Sequence, residues 1–154
     1  MMSERINYQK AAPGALKGMM ELERYLRSSQ LDNTIYELVK MRASQINGCA
    51  FCLDMHSKDA RAAGETEQRL YGLNAWRETS YYTDKECAAL EWTEALTLIS
   101  ENSVPDALYD KVRKQFSEEE LVTLTMAVIA INSWNRLAIP FRTEPGSYES
   151  VKKA

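Results

Sequence analysis

The residues of this sequence that could carry chemistry are concentrated in one segment, Cys49-Ala50-Phe51-Cys52-Leu53-Asp54-Met55-His56. On a helix with about 100° per residue, Cys49, Cys52 and His56 fall on one narrow face. Unpaired N–H groups at a helix start favour the thiolate of a cysteine placed there, and an imidazole one turn away can take its proton. The second thiol can resolve an oxidised first one, so the spacing predicts a reversible dithiol.

Two other interpretations of the same residues stay open from the sequence. The cysteines could be small buried apolar residues beside an ordinary histidine. They could also bind zinc with His56, if Cys87 or Glu37 supplied a fourth ligand. Structural zinc sites usually draw on two separated knuckles, and the sequence has no second Cys/His pair. A thioredoxin fold fits poorly because its C-x-x-C follows a strand.

The elements that position this segment are predicted to be helices. Apolar residues recur at spacings of three and four along most of the chain, and glycine and proline are scarce. We predict an all-α bundle of about seven helices with no sheet. The helices cover about 15–28, Ser29 or Leu31 to Ile46, 49–63, a short one from Thr66 to Ala75, 83–100, one beginning near Pro105, and 117–138.

Local signals fix several of the predicted helix ends. Asn47-Gly48 ends the second helix, because glycine tolerates the left-handed conformation of a helix stop. Thr83 with Glu86 forms a capping box, as does Ser117 with Glu120. The pair Ile139-Pro140 is expected to close the last helix, because the residue before proline avoids the α conformation.

The length and composition fit one soluble domain. The chain has 154 residues with 45% apolar and 27% charged residues, so we expect a single domain over 1–154, with its motif at about 31–64. A formal charge of −3 argues against nucleic-acid binding through bulk charge. The three cysteines and the absence of a secretory signal favour a cytoplasmic protein, and the apolar stretch at 121–131 is too short to span a bilayer.

The segment Glu37 to His56 resembles the AhpD-like alkylhydroperoxidases, within the carboxymuconolactone decarboxylase superfamily. The family motif is a glutamate, eleven residues, C-x-x-C, three residues and a histidine, and Glu37, Cys49, Cys52 and His56 match it. The stretches at 57–61, 76–78 and 132–137 are also similar to family members. Phe51 departs from the better-known alkylhydroperoxidase, which has a second histidine between the cysteines.

This resemblance implies an all-helical peroxidase that needs no metal, flavin or haem. Glu37 would relay a proton through water and His56 to Cys52, which would attack the peroxide and be resolved by Cys49. A lipoylated protein or another dithiol protein would reduce the disulfide, and the protomers would form trimers or hexamers. The assignment of Glu37 depends on the resemblance, because a glutamate on a helix is more often a solvated surface residue.

Two further expectations concern residues outside this motif. Cys87 is expected to serve packing. Asn132, Asn135 and Arg136 lie on an apolar helix, where buried polar groups must be paired, so we expect them at a helix junction or subunit contact rather than in a substrate pocket. The rival functions are a decarboxylase or lactone-processing enzyme, which would not need the dithiol, and a redox sensor without turnover.

Overall fold

The computed structural model describes residues 3–151, and this part of the chain contains helices and turns but no strand. The all-α prediction is therefore confirmed. The α-helices are α1 (Tyr8–Ala11), α2 (Lys17–Ser28), α3 (Asn33–Asn47), α4 (Ala50–Ala62), α5 (Glu67–Tyr71), α6 (Asp84–Thr97), α7 (Asp106–Arg113) and α8 (Glu118–Phe141). Two 3-10 segments, Pro13–Leu16 and Leu73–Glu78, precede α2 and follow α5.

Helix α3 is the centre of the bundle, and it packs against α4, α6 and α8. The largest apolar core lies among α2, α3, α6, α7 and α8, and a second core joins α3 and α4 to α5, the second 3-10 segment and α6. Because both cores use α3, most of its side chains are buried, including the charged Glu37 and Lys40. A charged group on this helix must therefore find its partner inside the protein.

Glu94 on α6 connects three elements through its carboxylate. It accepts hydrogen bonds from Arg42 Nε on α3 at 2.8 Å, from Trp76 Nε1 at 2.9 Å and from Arg77 Nη1 at 2.6 Å. Burial alone would raise the pKa of Glu94, but these three donors hold it below its usual value. The carboxylate thus fixes the second 3-10 segment against the central helix.

The predicted capping boxes are confirmed at α6 and α8. The Thr83 hydroxyl accepts from Glu86 N, and the Ser117 hydroxyl accepts from Glu120 N, with each glutamate returning a bond to its cap. At α3 the cap is Asp32 alone, whose carboxylate accepts from the N–H groups of the first turn. The helix therefore begins at Asn33, later than the predicted Ser29 or Leu31, because the Asp32 carboxylate caps it by accepting two first-turn N–H groups.

The helix count differs from the predicted seven because short elements occur where the apolar periodicity of the sequence is weak. α1 is a single turn held by the Asn7 side chain, which accepts from Lys10 N at 3.0 Å. The short helix predicted from Thr66 to Ala75 ends at Tyr71, and a 3-10 segment follows Gly72. Ala75 has a non-helical φ of −117°, so a continuous helix is interrupted there.

Helix α8 continues through Pro140 to Phe141, so the predicted end at Ile139 is wrong. The N-terminal segment binds the last turn of the helix. Arg5 N donates to Phe141 O at 2.9 Å, and Arg5 Nη1 donates to Pro140 O at 3.2 Å. These bonds satisfy carbonyls that a helix end leaves free, and the helix ends instead at Arg142, whose φ is +55°.

Helix α8 is long and apolar enough, by length and composition, to cross a membrane. It packs against α2, α3, α4, α6 and α7, however, and Leu124, Ala127 and Ile131 are fully buried. A helix buried by neighbours on several sides is apolar around most of its surface. Its position in the bundle therefore accounts for its composition, as the sequence indicated.

Candidate active site

The two cysteines of the motif lie at the start of α4 and form a disulfide with a Cα–Cα distance of 5.3 Å. Cys49 is the N-cap of the helix, and its sulfur accepts a hydrogen bond from Cys52 N at 3.3 Å. Gly48, with a φ of +73°, reverses the chain between α3 and α4. Both cysteines are 1% exposed, in a cluster with Ala43, Ile131 and Ala138 and the half-buried Phe51. The dithiol is thus placed where a helix start favours thiolate.

His56 lies one turn after Cys52 on the same face of α4 and is 4% exposed. Its Nδ1 is 3.0 Å from Oε2 of Glu37, which is also buried, on α3. Its Nε2 is buried and has no hydrogen-bond partner in the described structure. When Glu37 is ionised it accepts the Nδ1 proton, and Nε2 then carries the lone pair of a base. The pair is therefore arranged to take up a proton beside the dithiol.

The structure adds Asp59 and Tyr148 to this group, and sequence reasoning did not identify either. Asp59 lies three residues after His56 on α4, and the Tyr148 hydroxyl donates to Asp59 Oδ1 at 2.8 Å. Tyr148 comes from the segment after α8, which has no helical periodicity. Asp59 belongs to the stretch at 57–61 that is similar to family members, but nothing in the sequence indicated its partner 89 residues away.

A second buried polar group lies beside Glu37 and was also not identified from the sequence. Lys40 Nζ donates to both oxygens of Glu23, at 2.6 and 2.8 Å, and is 2% exposed. Tyr36 and Trp134 donate to the same carboxylate. Burial would raise the pKa of Glu23, but Lys40 and these donors hold it below its usual value. This group thus places a neutralised ion pair next to the Glu37–His56 pair.

The four residues predicted for the site are close together in the structure. Cys49 and Cys52 are bonded, Glu37 and His56 are hydrogen bonded, and the two pairs are joined through one turn of α4. Glu37 is buried, whereas a glutamate on a helix usually lies on the protein surface. The catalytic roles assigned to these residues remain predictions.

Asn132 and Asn135 lie at a junction between helices, whereas Arg136 is exposed and bonds only to Asn132 on its own helix. Asn47 Nδ2 donates to Asn135 Oδ1 at 2.8 Å and to Asn132 Oδ1 at 3.0 Å, which connects the end of α3 to α8. Asn135 is fully buried and donates to Ser44 Oγ at 3.1 Å. Arg136 Nη1 donates to the backbone oxygen of Asn132. This network fixes the chain just before Gly48, and so the start of α4.

Cys87 lies away from the site, in the first turn of α6. It is half-buried against the second core, and its sulfur lies 3.8 Å from Tyr82 O. Burial, together with Asp84 and Glu86, raises the pKa of this thiol. A thiol of this kind reacts slowly, which agrees with the packing role expected for Cys87.

The described part of the chain contains one cluster of possible metal ligands, formed by Glu37, His56 and Asp59. One ligand atom from each lies within 4.8 Å of the others. Glu37 and His56 are bonded to each other, however, and Asp59 is bonded to Tyr148. We therefore describe these residues as two adjacent hydrogen-bonded pairs. The zinc alternative needs thiolates, and Cys49 and Cys52 offer none as a disulfide.

Comparison with known proteins identifies the relatives of this chain. The carboxymuconolactone decarboxylase family model matches residues 13–95. The uncharacterized protein YdfG of Bacillus subtilis is 51% identical over 138 residues, which cover 90% of this chain and 94% of YdfG. YnjA of Escherichia coli, also uncharacterized, is 31% identical over 102 residues, 66% of this chain and 56% of YnjA.

A solved structure from Agrobacterium tumefaciens has the same fold, with a TM-score of 0.91 and 46% identity over 95% of this chain and 100% of that one. That protein is described as of unknown function and as a candidate AhpD antioxidant defence protein. The site geometry and these relatives agree with the resemblance seen in residues 37–56. The chain belongs to the carboxymuconolactone decarboxylase family and has the AhpD-like fold.

Proposed function

We propose that this protein is a thiol-dependent peroxidase that reduces hydrogen peroxide or a small organic hydroperoxide with Cys49 and Cys52. The observation that carries the proposal is a bonded cysteine pair at a helix start, one turn from a buried His56–Glu37 pair. A dithiol needs a nearby base to form thiolate at neutral pH, and this arrangement supplies one. The Agrobacterium tumefaciens relative, described as a candidate antioxidant defence protein, supports the same class of chemistry.

The reaction starts from the reduced protein. His56 takes the proton of the Cys52 thiol, and Glu37 stabilises the resulting imidazolium. The thiolate attacks one peroxide oxygen, the O–O bond breaks, and the alkoxide or hydroxide that leaves takes the proton from His56. Cys52 is then a sulfenic acid, and Cys49 attacks its sulfur to form the disulfide with release of water. Two electrons have passed from the dithiol to the peroxide.

The disulfide must be reduced by an external dithiol. A lipoyl protein or a dithiol protein is the donor that we propose, in a reducing compartment such as the cytoplasm. Both cysteines are almost completely buried, and Phe51 is the half-exposed member of their cluster. The donor therefore has to reach the sulfurs past Phe51, at the position where the better-known family member has histidine.

Two alternatives keep the fold and change the function. Burial of both sulfurs favours a redox sensor that forms the disulfide but turns over slowly. The family description favours a decarboxylase, which would not use the dithiol. Steady-state consumption of peroxide with excess dihydrolipoamide separates the peroxidase from both alternatives, because only a peroxidase exceeds the rate of the free dithiol and loses that rate in Cys52→Ser.

The test compares three single variants with the wild type. Cys87→Ser is the matched control, because it removes a thiol outside the site and should leave turnover unchanged. Cys52→Ser should abolish turnover, and Cys49→Ser should stop after one peroxide with a sulfenic acid that dimedone traps. Intact mass should show that the wild type loses two hydrogens on oxidation. Wild-type turnover no faster than the free dithiol would refute the proposal.

We also propose that the protomers assemble into a trimer or hexamer. Val122 and Ile129 lie seven residues apart on α8, on one face, and are 62% and 46% exposed. An exposed apolar pair on the outer face of α8 is suited to contact between copies. Sedimentation velocity of the wild type and of Val122→Glu/Ile129→Lys tests this, and a monomeric wild type would exclude the assembly.

A further inference from the structure

We propose that Asp59 and Tyr148 form the outer part of the proton-transfer site, in which Tyr148 is a positioning residue that holds the Asp59 carboxylate beside His56 and Glu37. This inference rests on the proposed function, since it concerns how His56 accepts a proton. It adds residues from the end of the chain to a site otherwise built by α3 and α4.

The first support is the placement of the three ionisable groups. Glu37, His56 and Asp59 each present an atom within 4.8 Å of the others, so the Asp59 charge acts directly on the imidazole. Asp59 is seven residues after Cys52, which corresponds to about 10 Å along a helix. Because Coulomb energy falls with distance, Asp59 favours an imidazolium at His56 more than it opposes a thiolate at Cys52. Its net effect is to promote proton transfer from Cys52 to His56.

The second support is the way the C-terminal segment is fastened to α4. Lys58 Nζ donates to Tyr148 O at 2.8 Å, and Gly146 N donates to Asp54 Oδ2 at 3.0 Å. These bonds fix the backbone at Tyr148 and at Gly146, two residues before it, and so hold the side chain that reaches Asp59. The segment is therefore docked along the helix that carries Cys52 and His56, rather than crossing it at one point.

The third support is the state and exposure of Tyr148. Burial and the hydrogen bond to Asp59 raise the pKa of Tyr148 to about 12, so its hydroxyl keeps its proton and donates at neutral pH. Tyr148 also lines an open surface cleft of about 710 Å³, together with Lys58 and Arg61. The cluster formed by His56, Glu37, Asp59 and Tyr148 thus extends to a place where water can exchange protons with it.

Other ionisable groups near this cluster come from each element packed against it. On α2 these are Arg27 and Glu23, on α3 Tyr36, Glu37 and Lys40, and on α4 itself Asp54, Lys58 and Arg61. Arg27 interacts electrostatically with Asp59 and offsets part of its charge. None of these groups is changed in the variants below, so differences between variants report on Asp59 and Tyr148.

The test measures thiolate formation directly, without peroxide. In a Cys49→Ser/Cys87→Ser background only Cys52 titrates, and its ultraviolet thiolate absorbance is recorded against pH. In Asp59→Asn the thiolate absorbance near neutral pH, where Cys52 and His56 share one proton, should correspond to an about tenfold lower ratio of thiolate to thiol, as the difference in Coulomb energy at the two distances implies. Tyr148→Phe should shift it the same way by a smaller factor, because the half-buried carboxylate then turns toward water.

The double variant separates positioning from a general effect on folding. Asp59→Asn/Tyr148→Phe should match Asp59→Asn alone, because Tyr148 acts only through Asp59. Tyr109→Phe, at an exposed tyrosine of α7, is the control and should leave the profile unchanged. An unshifted profile in Asp59→Asn, or additive shifts in the double variant, would overturn the inference. Absent peroxide turnover together with these shifts would instead remove the proposed function and leave the inference standing.

Discussion

Replacing Lys40 by methionine should destabilise the protein strongly at neutral pH and much less in mild acid. Lys40 and Glu23 are buried, and their atoms approach to 2.6 Å. Methionine fills a similar volume but leaves the Glu23 carboxylate without its cation. Breaking a buried ion pair from one side costs about 3–5 kcal/mol. Tyr36 and Trp134 still donate to the carboxylate, which favours the lower end of that range.

This cost has an independent upper limit, which is the free energy needed to keep Glu23 protonated. Its ordinary pKa is 4.5, and keeping such a group neutral at pH 7 costs about 1.4 kcal/mol per pH unit, or roughly 3.4 kcal/mol. At pH 5 the same limit is about 0.7 kcal/mol. In the wild type the pKa of Glu23 is lowered, so the pair contributes stability above that pKa and loses it only as pH falls through it. The cost of Lys40→Met should therefore fall from about 3 to about 1 kcal/mol between pH 7 and pH 5.

Urea unfolding at a fixed protein concentration, at both pH values, measures these differences. Two controls belong with it. Glu23→Gln/Lys40→Met removes both charges and should recover most of the loss, and Lys85→Met breaks a partly exposed pair with Glu120 and should cost less than about 1 kcal/mol. A cost below about 1 kcal/mol for Lys40→Met at pH 7, or a cost that does not change with pH, would contradict this account of the pair.

Three further changes have definite expected outcomes. Glu94→Gln should cost about 1–3 kcal/mol at pH 7 in urea unfolding. Because the pKa of Glu94 is lowered in the folded protein, this difference from wild type should shrink as pH falls below the ordinary pKa of a glutamate. A difference that stays constant with pH would count against the charge of Glu94 being responsible. Asn135→Leu should cost about 1–3 kcal/mol by the same assay, since it leaves Ser44 without its buried partner and Asn47 with Asn132 alone, and a neutral result would show that water replaces it. Phe51→Ala should raise the rate with cumene hydroperoxide on the order of tenfold more than with hydrogen peroxide, and equal changes for both would mean that Phe51 does not limit access.

Local features of the sequence predicted those parts of the fold that depend on neighbouring residues. The capping boxes at Thr83 and Ser117 involve residues three apart, and both are present. The order Cys49, Cys52, His56 also lies within a few residues, so one helix face could be worked out before the fold was known. These parts could be predicted because the atoms that decide them are close in the chain.

The parts that could not be predicted depend on contacts between distant residues. Pro140 ends a helix by local rules, but Arg5, 135 residues away, supplies donors for the last turn. Glu23 and Lys40 look like surface residues on amphipathic helices, and Trp134 reaches Glu23 from 111 residues away. Tyr148 lies in a segment without periodicity, so only the docked chain shows its contact with Asp59. Charged residues carry no local mark that separates a buried pair from a solvated one.

The charges around His56 give a physical reason why the buried groups belong together. Two buried carboxylates, from Glu23 and Glu37, lie near one buried cation, Lys40. The group therefore carries one net negative charge while His56 is neutral and none once His56 takes a proton. In a medium of low dielectric constant, the neutral arrangement is favoured.

This charge balance favours transfer of the Cys52 proton to His56. Tyr36 does not alter it, because burial followed by the Glu23 charge raises its pKa and the phenol stays protonated. The nearest thiol is Cys52, one turn along α4, so its proton is the one that neutralises the buried group. If the charge balance is responsible, Lys40→Met should also increase Cys52 thiolate at a given pH while it lowers stability. An increase in thiolate together with a loss of stability would not be expected from simple damage to the fold, and a decrease in both would rule out this electrostatic explanation.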